Sequence, residues 1–341
     1  MQVFSNPDFD DHEQVVFARD AASGLRAVIA VHNTNRGPAL GGCRIWPYET
    51  EAEAATDALR LAKGMTYKAA LAGLDLGGGK SVILADSRTE KTPAMMRAMG
   101  VAVERLGGRY IVAEDVGATP ADMDAIGENT AHVAGRTDGV GDPSPWTARG
   151  VFLCLERAVR HRRGGGLVGV RVTVKGLGSV GGKLTRMLSA AGAELFVADI
   201  RAESAEAVAQ ETGATIVGVD EAATLDVDVY APCALGGELD AAMVEALRCE
   251  IVCGAANNQL ATPQDGARLT ARGILYCPDY LVNAGGLISV ARDATPLSDA
   301  EAEAKLAALP DTLEQVGTRS DADGAPMAET ADRLAEERFR R

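Results

Sequence analysis

The stretch that most constrains the fold is residues 170–199. Val170-Arg171-Val172-Thr173-Val174-Lys175 has the composition of a buried strand and ends on Gly176-Leu177-Gly178-Ser179-Val180-Gly181. A helix from Lys183 to Ala191 and a second strand, Glu194-Leu195-Phe196-Val197-Ala198-Asp199, follow. A lone G-x-G-x-x-G is a weak signal, but this one leaves a strand, enters a helix and is followed at the expected interval by an acidic residue closing the next strand. The glycines permit the turn and a close backbone approach, and the helix N-terminus attracts a pyrophosphate. Asp199 would accept hydrogen bonds from the adenosine ribose hydroxyls and repel a 2′-phosphate, which favours NAD over NADP. The competing reading is a tight turn with no nucleotide. Short strands at Val227–Tyr230, Glu250–Cys253 and Gly273–Tyr276 extend a parallel sheet. Their ends lead into Ala231–Ala234, Gly254–Asn258 and Pro278–Gly286, where ligands of open α/β sheets lie.

At 341 residues the chain exceeds what one core normally supports, so two domains are expected. The Gly-, Asp- and Pro-rich stretch Gly135–Pro145 marks the boundary. The expected fold class is therefore α/β with two domains: an N-terminal α/β substrate domain over 1–135 and a C-terminal Rossmann-type NAD domain over 136–317. A net charge of −14 with no basic cluster disfavours nucleic acid and anionic membranes as partners. The start, Met1-Gln2-Val3-Phe4-Ser5-Asn6-Pro7-Asp8, carries no basic segment followed by an apolar run, and no stretch of about 18 apolar residues occurs. Cys43, Cys154, Cys233, Cys249, Cys253 and Cys277 form no C-x-x-C pair and have no histidine at ligand spacing, so reduced thiols in a cytoplasmic protein are expected, and no metal. His12, His32, His132 and His161 are isolated and read as structural or surface residues.

In the N-terminal half, Gln14–Phe17 and Arg26–Val31 read as a hairpin across Ala22-Ser23-Gly24. Gly37-Pro38-Ala39-Leu40-Gly41-Gly42 reads as a loop. Thr50 and Glu53 form a capping box opening a helix that runs toward Met65 and Lys68. Gly73-Leu74-Asp75-Leu76-Gly77-Gly78-Gly79-Lys80-Ser81 then reads as a glycine-rich loop delivering one lysine to the mouth of a strand, Ser81–Leu84. Gly79-Lys80-Ser81 matches the end of a nucleoside-triphosphate loop, but Leu74 stands where the first glycine is required. A helix over Pro93–Leu106, a strand over Arg109–Asp115 and a helix from Thr119 to about Thr130 complete this half. On that strand Ala113 and Asp115 share a face while Glu114 points away.

Taken together the chain resembles the glutamate/leucine/phenylalanine/valine dehydrogenase superfamily, and within it is most similar to the leucine and valine dehydrogenases. The resemblance is carried by Gly37–Gly42, Lys63-Gly64-Met65-Thr66-Tyr67-Lys68, Leu76–Lys80, Ala113-Glu114-Asp115-Val116-Gly117, Gly176–Gly181, Gly254–Asn258 and Asn283-Ala284-Gly285-Gly286. It implies a substrate domain, an NAD domain and a cleft between them that closes during turnover. The implied reaction is reversible NAD-dependent oxidative deamination of an L-amino acid to the 2-oxo acid and ammonia. Lys68 would bind the substrate α-carboxylate, Lys80 would be the catalytic base and Asp115 would handle protons at the substrate nitrogen, with Gly77 and Gly78 beside the substrate. A base acting near neutral pH cannot be an ordinary lysine, which is charged up to about 10.4, so a neighbouring cation and a poorly solvated site are required. The cofactor set implied is Thr147, Gly176, Gly178, Ser179, Val180, Gly181, Asp199, Ile200, Cys233, Ala234, Ala256, Asn258 and Asn283, with Asn258 also near the substrate.

The family's side-chain pocket maps onto Leu40, Ala113, Leu287 and Val290. Asn283, Leu287 and Val290 recur at i, i+4 and i+7, the spacing of one helical face. A wholly aliphatic pocket suits a branched-chain substrate, leucine, valine or isoleucine. Leu287 is bulkier than the valine usual in leucine dehydrogenases, which would favour a shorter one. The alternative is a phenylalanine or other aromatic amino-acid dehydrogenase, against which Leu40 and Ala113 would crowd a ring. A noncatalytic NAD-binding relative is a third reading, opposed by the intact Lys68, Lys80 and Asp115. Trp146 departs from the smaller residue expected beside Thr147, and either packs at the hinge or reshapes the nicotinamide end. The tail holds helical patterns over 298–317 and 325–340 around Asp321–Gly324, and its end, about 318–341, is expected to pack on the N-terminal domain. It is short for the leucine enzymes, so a dimer stands beside their octamer as the expected homo-oligomer.

Overall fold

A computed structural model describes residues 3–340. Met1 and Gln2 of the expected N-terminal segment and Arg341 of the tail lie outside the described residues. In chain order the first elements are β1 (Gln14–Asp20), β2 (Leu25–Asn33), β3 (Ala39–Trp46), α1 (Glu51–Leu71), β4 (Gly77–Leu84), α2 (Pro93–Glu104), β5 (Tyr110–Glu114) and α3 (Pro120–Gly127). Then come α4 (Ser144–Arg163), β6 (Arg171–Lys175), α5 (Gly181–Ala190), β7 (Glu194–Ala198), α6 (Ala202–Thr212), β8 (Thr215–Ile216), β9 (Val229–Pro232), α7 (Ala241–Ala246), β10 (Ile251–Val252), α8 (Pro263–Ala271) and β11 (Leu275–Tyr276). The chain closes with α9 (Asp279–Val282), α10 (Gly285–Ala294), α11 (Asp299–Ala307), α12 (Leu309–Asp323) and α13 (Met327–Phe339).

The chain forms two compact units, and neither is one continuous stretch. The first takes the residues up to Asp142, Leu287–Ala302 and the residues from Ala335 on, and the second takes Pro143–Gly286 and Glu303–Leu334. The segment from Leu287 joins the first unit through Asp293, whose carboxylate accepts hydrogen bonds from the Gly135 N–H (3.2 Å) and the Val140 N–H (3.1 Å).

The first unit is built on a five-stranded mixed sheet of order β1-β2-β4-β3-β5. β1, β2 and β4 pair antiparallel, while β3 is parallel to both β4 and β5. α1 covers one face: Ala54, Ala55, Ala58, Leu59 and Ala62 pack on Val28, Ala30 and Val82. Its start is set by the expected capping box, in which Thr50 Oγ1 accepts from the Glu53 N–H and Glu53 accepts from the Thr50 N–H. On the opposite face Met95, Met96, Met99 and Val103 of α2 and Met123 and Ile126 of α3 close a second core over Ile29, Ile45 and Val112.

Three sequence expectations need correction here. Gly37–Gly42 is a loop only at its start, because Ala39–Gly42 open strand β3. The glycine run is no loop either: Gly77–Lys80 are the first half of β4, at the centre of the sheet and fully buried. The reason is close packing. A Cβ on Gly77 would stand 1.8 Å from Asn33 O, on Gly78 2.0 Å from Thr66 N, and on Gly41 1.7 Å from Gly79 O. This also removes the triphosphate-loop reading, since Gly79-Lys80-Ser81 is paired strand with Lys80 opposite Ala30 of β2. Third, Asn283 does not share a helix with Leu287 and Val290; it is the C-cap of α9, and α10 begins at Gly285. The α4 backbone lies close to the start of α10, which requires the glycine there: a Cβ on Gly285 would lie 2.1 Å from Trp146 O.

The second unit carries a six-stranded sheet of order β11-β10-β9-β6-β7-β8, every pairing parallel. The order reverses between β6 and β9, the switch point at which doubly wound sheets bind nucleotides. The tail pattern over 298–317 is two helices, broken at Ala308 ahead of Pro310. No helix among the described residues is long and apolar enough to cross a membrane.

Candidate active site

In the first unit the sheet brings charged residues from three elements together. Lys80, in the central strand, is only 4% exposed, and its Nζ donates to Asp115 Oδ2. Asp115 follows β5 directly. Its Oδ1 accepts the Val116 N–H at 2.5 Å and lies 3.6 Å from Arg44 Nε. Room for that carboxylate comes from Gly42 of β3, where a Cβ would stand 2.7 Å from Asp115 Cβ. Arg44, two residues further along the same strand, donates from Nη1 to Asp57 Oδ2 at 2.9 Å. Tyr48 donates to the same oxygen (2.6 Å) and Arg60 to Asp57 Oδ1 (2.9 Å). Burial pushes the Asp57 carboxyl up, but these donors together hold it below the ordinary carboxylate range.

Burial dominates at Lys80. With the Arg44 guanidinium and the Lys68 ammonium adding repulsion, it brings the lysine from 10.5 down to about 7, against the pull of Asp57. The Asp115 carboxylate in contact with Nζ likewise favours the charged form. Lys68 is half-buried in the last turn of α1. That helix lies against β4 at Gly78, whose missing side chain admits Thr66. Thr66 in turn hydrogen bonds His32 Nδ1 at 2.8 Å, and burial holds the His32 ring down at about 4, so the histidine is neutral and structural.

The aliphatic candidates Leu40 and Ala113 are buried in β3 and β5, where Leu40 is in register with Gly78 and Ile111, and Ala113 with Gly42. Leu287 (buried) and Val290 (half-buried) lie on α10 and belong to this same unit. Arg44, Tyr48 and Asp57 were not anticipated. The signal was present: once Gly41-Gly42-Cys43-Arg44 is taken as strand, Gly42 and Arg44 share a face two residues apart.

The second unit places the nucleotide candidates at its switch point. Gly176 has φ +96°, and a Cβ there would lie 2.7 Å from Ala234 N, so the loops after β6 and β9 touch. A Cβ on Gly181 would be 1.9 Å from Gly176 O. Gly178 differs: it is exposed and a Cβ would meet nothing within 4 Å, so no protein atom demands a glycine there. Ser179 is exposed beside it, and Val180 caps α5 without any side-chain hydrogen bond. Asp199 accepts from the Leu177 N–H (2.7 Å) and the Arg201 N–H (2.8 Å); burial pushes its carboxyl up, but these bonds and the Arg201 charge hold it low. Ile200 is 88% exposed next to it.

Around the neighbouring strand ends, Cys233 is half-buried, Ala234 exposed and Ala256 buried, with the Ala256 N–H bonded to Pro232 O. Asn258 adopts φ +53°, its N–H held by Asp279 at 2.8 Å and its side chain exposed. Asn283 donates to Ala255 O and Asn257 Oδ1, while its own buried Oδ1 has no hydrogen-bond partner. Thr147 donates to Pro143 O and stands where a Cβ on Gly286 would be 2.6 Å from its hydroxyl. An open glycine, an uncapped helix start and an ionised carboxylate ending the second strand fit the pyrophosphate and ribose of a dinucleotide.

Residues 12–132 match the model of the Glu/Leu/Phe/Val dehydrogenase dimerisation domain, and 196–306 that of the Glutamate/Leucine/Phenylalanine/Valine dehydrogenase family. The chain is 45% identical over 343 residues to leucine dehydrogenase of Thermoactinomyces intermedius, covering 99% of this chain and 94% of that protein. The chain belongs to the Glu/Leu/Phe/Val dehydrogenase family. It is 46% identical over 339 residues to valine dehydrogenase of Streptomyces virginiae, covering 97% and 95% of the two chains. Among solved structures it is similar to L-tryptophan dehydrogenase from Nostoc punctiforme, with a TM-score of 0.87, 42% identity and 97% and 96% of the two chains covered. This family member is an NAD-dependent amino-acid dehydrogenase, an oxidoreductase acting on CH–NH2.

Proposed function

We propose that Lys80, Asp115 and Lys68 carry out the reversible, NAD-dependent oxidative deamination of a branched-chain aliphatic L-amino acid to its 2-oxo acid and ammonia. The observation behind the assignment is Lys80: a strand lysine only 4% exposed, its amine on the Asp115 carboxylate, where burial and the Arg44 and Lys68 charges bring it down to about 7. Such a group is neutral often enough near physiological pH to take a proton from water.

Bound NAD would supply the acceptor for the hydride that leaves the substrate Cα. Lys68 binds the α-carboxylate as a fixed cation, with the Gly77–Gly78 backbone beside it. Lys80 removes a proton from the water that attacks the resulting iminium carbon, and Asp115 exchanges protons with the substrate nitrogen as the carbinolamine collapses and ammonia leaves. Gly176, Gly178, Ser179, Val180 and Gly181 hold the pyrophosphate, Asp199 with Ile200 the adenosine ribose, and Cys233, Ala234, Ala256, Asn258, Asn283 and Thr147 the nicotinamide end. The orphaned Asn283 Oδ1 has an acceptor to offer there. Leu40, Ala113, Leu287 and Val290 give an aliphatic lining. The protein works as a homo-oligomer, a dimer or an octamer, in the cytoplasm.

Lys80→Ala tests the assignment: deamination falls by orders of magnitude while NAD affinity stays near wild type, and near-wild-type turnover removes Lys80 from the mechanism. A panel of L-amino acids followed by NADH absorbance tests the substrate class. Leucine, valine and isoleucine are expected to lead. Preference for tryptophan would instead align the chain with its L-tryptophan dehydrogenase relative, and preference for phenylalanine would favour the aromatic alternative.

A further inference from the structure

Titratable and charged groups face Lys80 from three sides, while β2 places only Ala30 opposite it. β3 contributes Arg44 and Cys43, α1 contributes Asp57 and Lys68, and the turn after β5 contributes Asp115. The Cys43 thiol, pushed up to about 11 by burial, stays neutral in the working range. Arg44 differs from the two lysines in that a guanidinium does not give up its proton. Its Nη1 is tied to Asp57 at 2.9 Å, whereas its Nε is buried, has no hydrogen-bond partner and points at Asp115 Oδ1 from 3.6 Å.

We propose that Arg44 is a positioning residue for the deamination reaction: braced by Asp57, its guanidinium stands behind Asp115 as a second, permanent counter-ion, so that Lys80 can lose its proton without leaving the half-buried carboxylate unpaired. The inference rests on the reading of Lys80 as the base. Two cations share one carboxylate, and only one of them titrates. When Lys80 is an ammonium, Asp115 is neutralised through Oδ2 and Arg44 repels the lysine. When Lys80 is neutral, a carboxylate shift of about 0.7–0.9 Å, from 3.6 Å to a charge-assisted distance of about 2.7–2.9 Å, would bring Oδ1 onto the waiting Nε. Asp57 sets how much of the Arg44 charge is felt, with Tyr48 and Arg60 holding it in place.

The experiment uses the full chain and the variants Arg44→Gln, Arg44→Lys and Asp57→Asn. Two profiles are measured against pH: kcat/KM for oxidative deamination, and the acetylation rate of the Lys80 amine by acetic anhydride, located by peptide mass mapping without substrate. Arg44→Gln removes a cation, so the acidic limb and the labelling midpoint both move up by about one pH unit or more. Arg44→Lys keeps the charge but not the fork, so the midpoints stay near wild type while kcat falls. Asp57→Asn removes an anion and moves both midpoints down. Opposite shifts from two neighbours are an electrostatic signature that loss of packing does not produce, and Asp57→Asn with Arg44→Lys carries the test if Arg44→Gln fails to fold. A wild-type midpoint in Arg44→Gln, or shifts of the same sign in Arg44→Gln and Asp57→Asn, overturns the proposal. If labelling midpoints shift as expected while the limbs of kcat/KM stay put, the coupling of Arg44 to Lys80 stands and the assignment of Lys80 as the base fails.

Discussion

Gly78→Ala is the sharpest probe of how this site is assembled. A Cβ at that position would lie 2.0 Å from Thr66 N, 2.3 Å from Thr66 Oγ1 and 2.6 Å from Ala62 O, all on α1. Restoring ordinary contact requires α1 and β4 to separate by about 1.4 Å, the difference between 3.4 and 2.0 Å. Neither side yields easily, because Thr66 N and Ala62 O are backbone atoms and β4 is paired on both edges. Forced overpacking of this kind costs about 1–3 kcal/mol. Lys68 sits two residues beyond Thr66 on the displaced helix and Lys80 two residues beyond Gly78 on the strand, so their separation changes with it. A misplacement of about 1 Å lowers catalysis about 100-fold. The control is Gly64→Ala on the same helix, exposed and with nothing within 4 Å of the added carbon, which should stabilise by about 0.5–1 kcal/mol through helix propensity. Thermal melts and kcat/KM for deamination decide the matter. If Gly78→Ala melts and turns over like wild type, the close packing of α1 on the glycine run is not what positions the two lysines.

Two other outcomes follow from the same geometry. The base form of Lys80 is lost below about pH 7, so kcat/KM for deamination should fall about tenfold per pH unit on the acid side; an ordinary lysine at 10.5 would leave only about one molecule in 3,000 deprotonated at neutrality. An acidic limb centred near 9 or above would show that burial does not depress Lys80 in the working enzyme. Gly178→Ala should leave the melting temperature of the ligand-free protein unchanged, since the added carbon meets no protein atom, yet weaken NAD binding about tenfold or more in a fluorescence titration. Unchanged NAD affinity would move the pyrophosphate away from this turn.

Much of the second unit was legible in order along the chain. The β6-α5-β7 unit, its glycine turn and Asp199 are local in sequence, and each signal depends on residues within a turn or strand of one another. The capping box at Thr50 was legible for the same reason. The glycine run 77–79 could not be placed this way. Glycine carries a loop signal and a close-packing signal in the same letter, and only the approach of Asn33, Thr66 and Tyr110 shows which applies.

Lys80, Asp115 and Lys68 could be nominated from the sequence, through their motifs and the chemistry a deaminating base requires. That Lys80 is buried in a central strand, touches Asp115 and is flanked by Arg44 and Asp57 was decided by the tertiary structure alone. Side-chain charge is written in the sequence, but its free energy depends on how much water surrounds it and which other charges are a few ångströms away. For residues dozens of positions apart, the sheet order sets both.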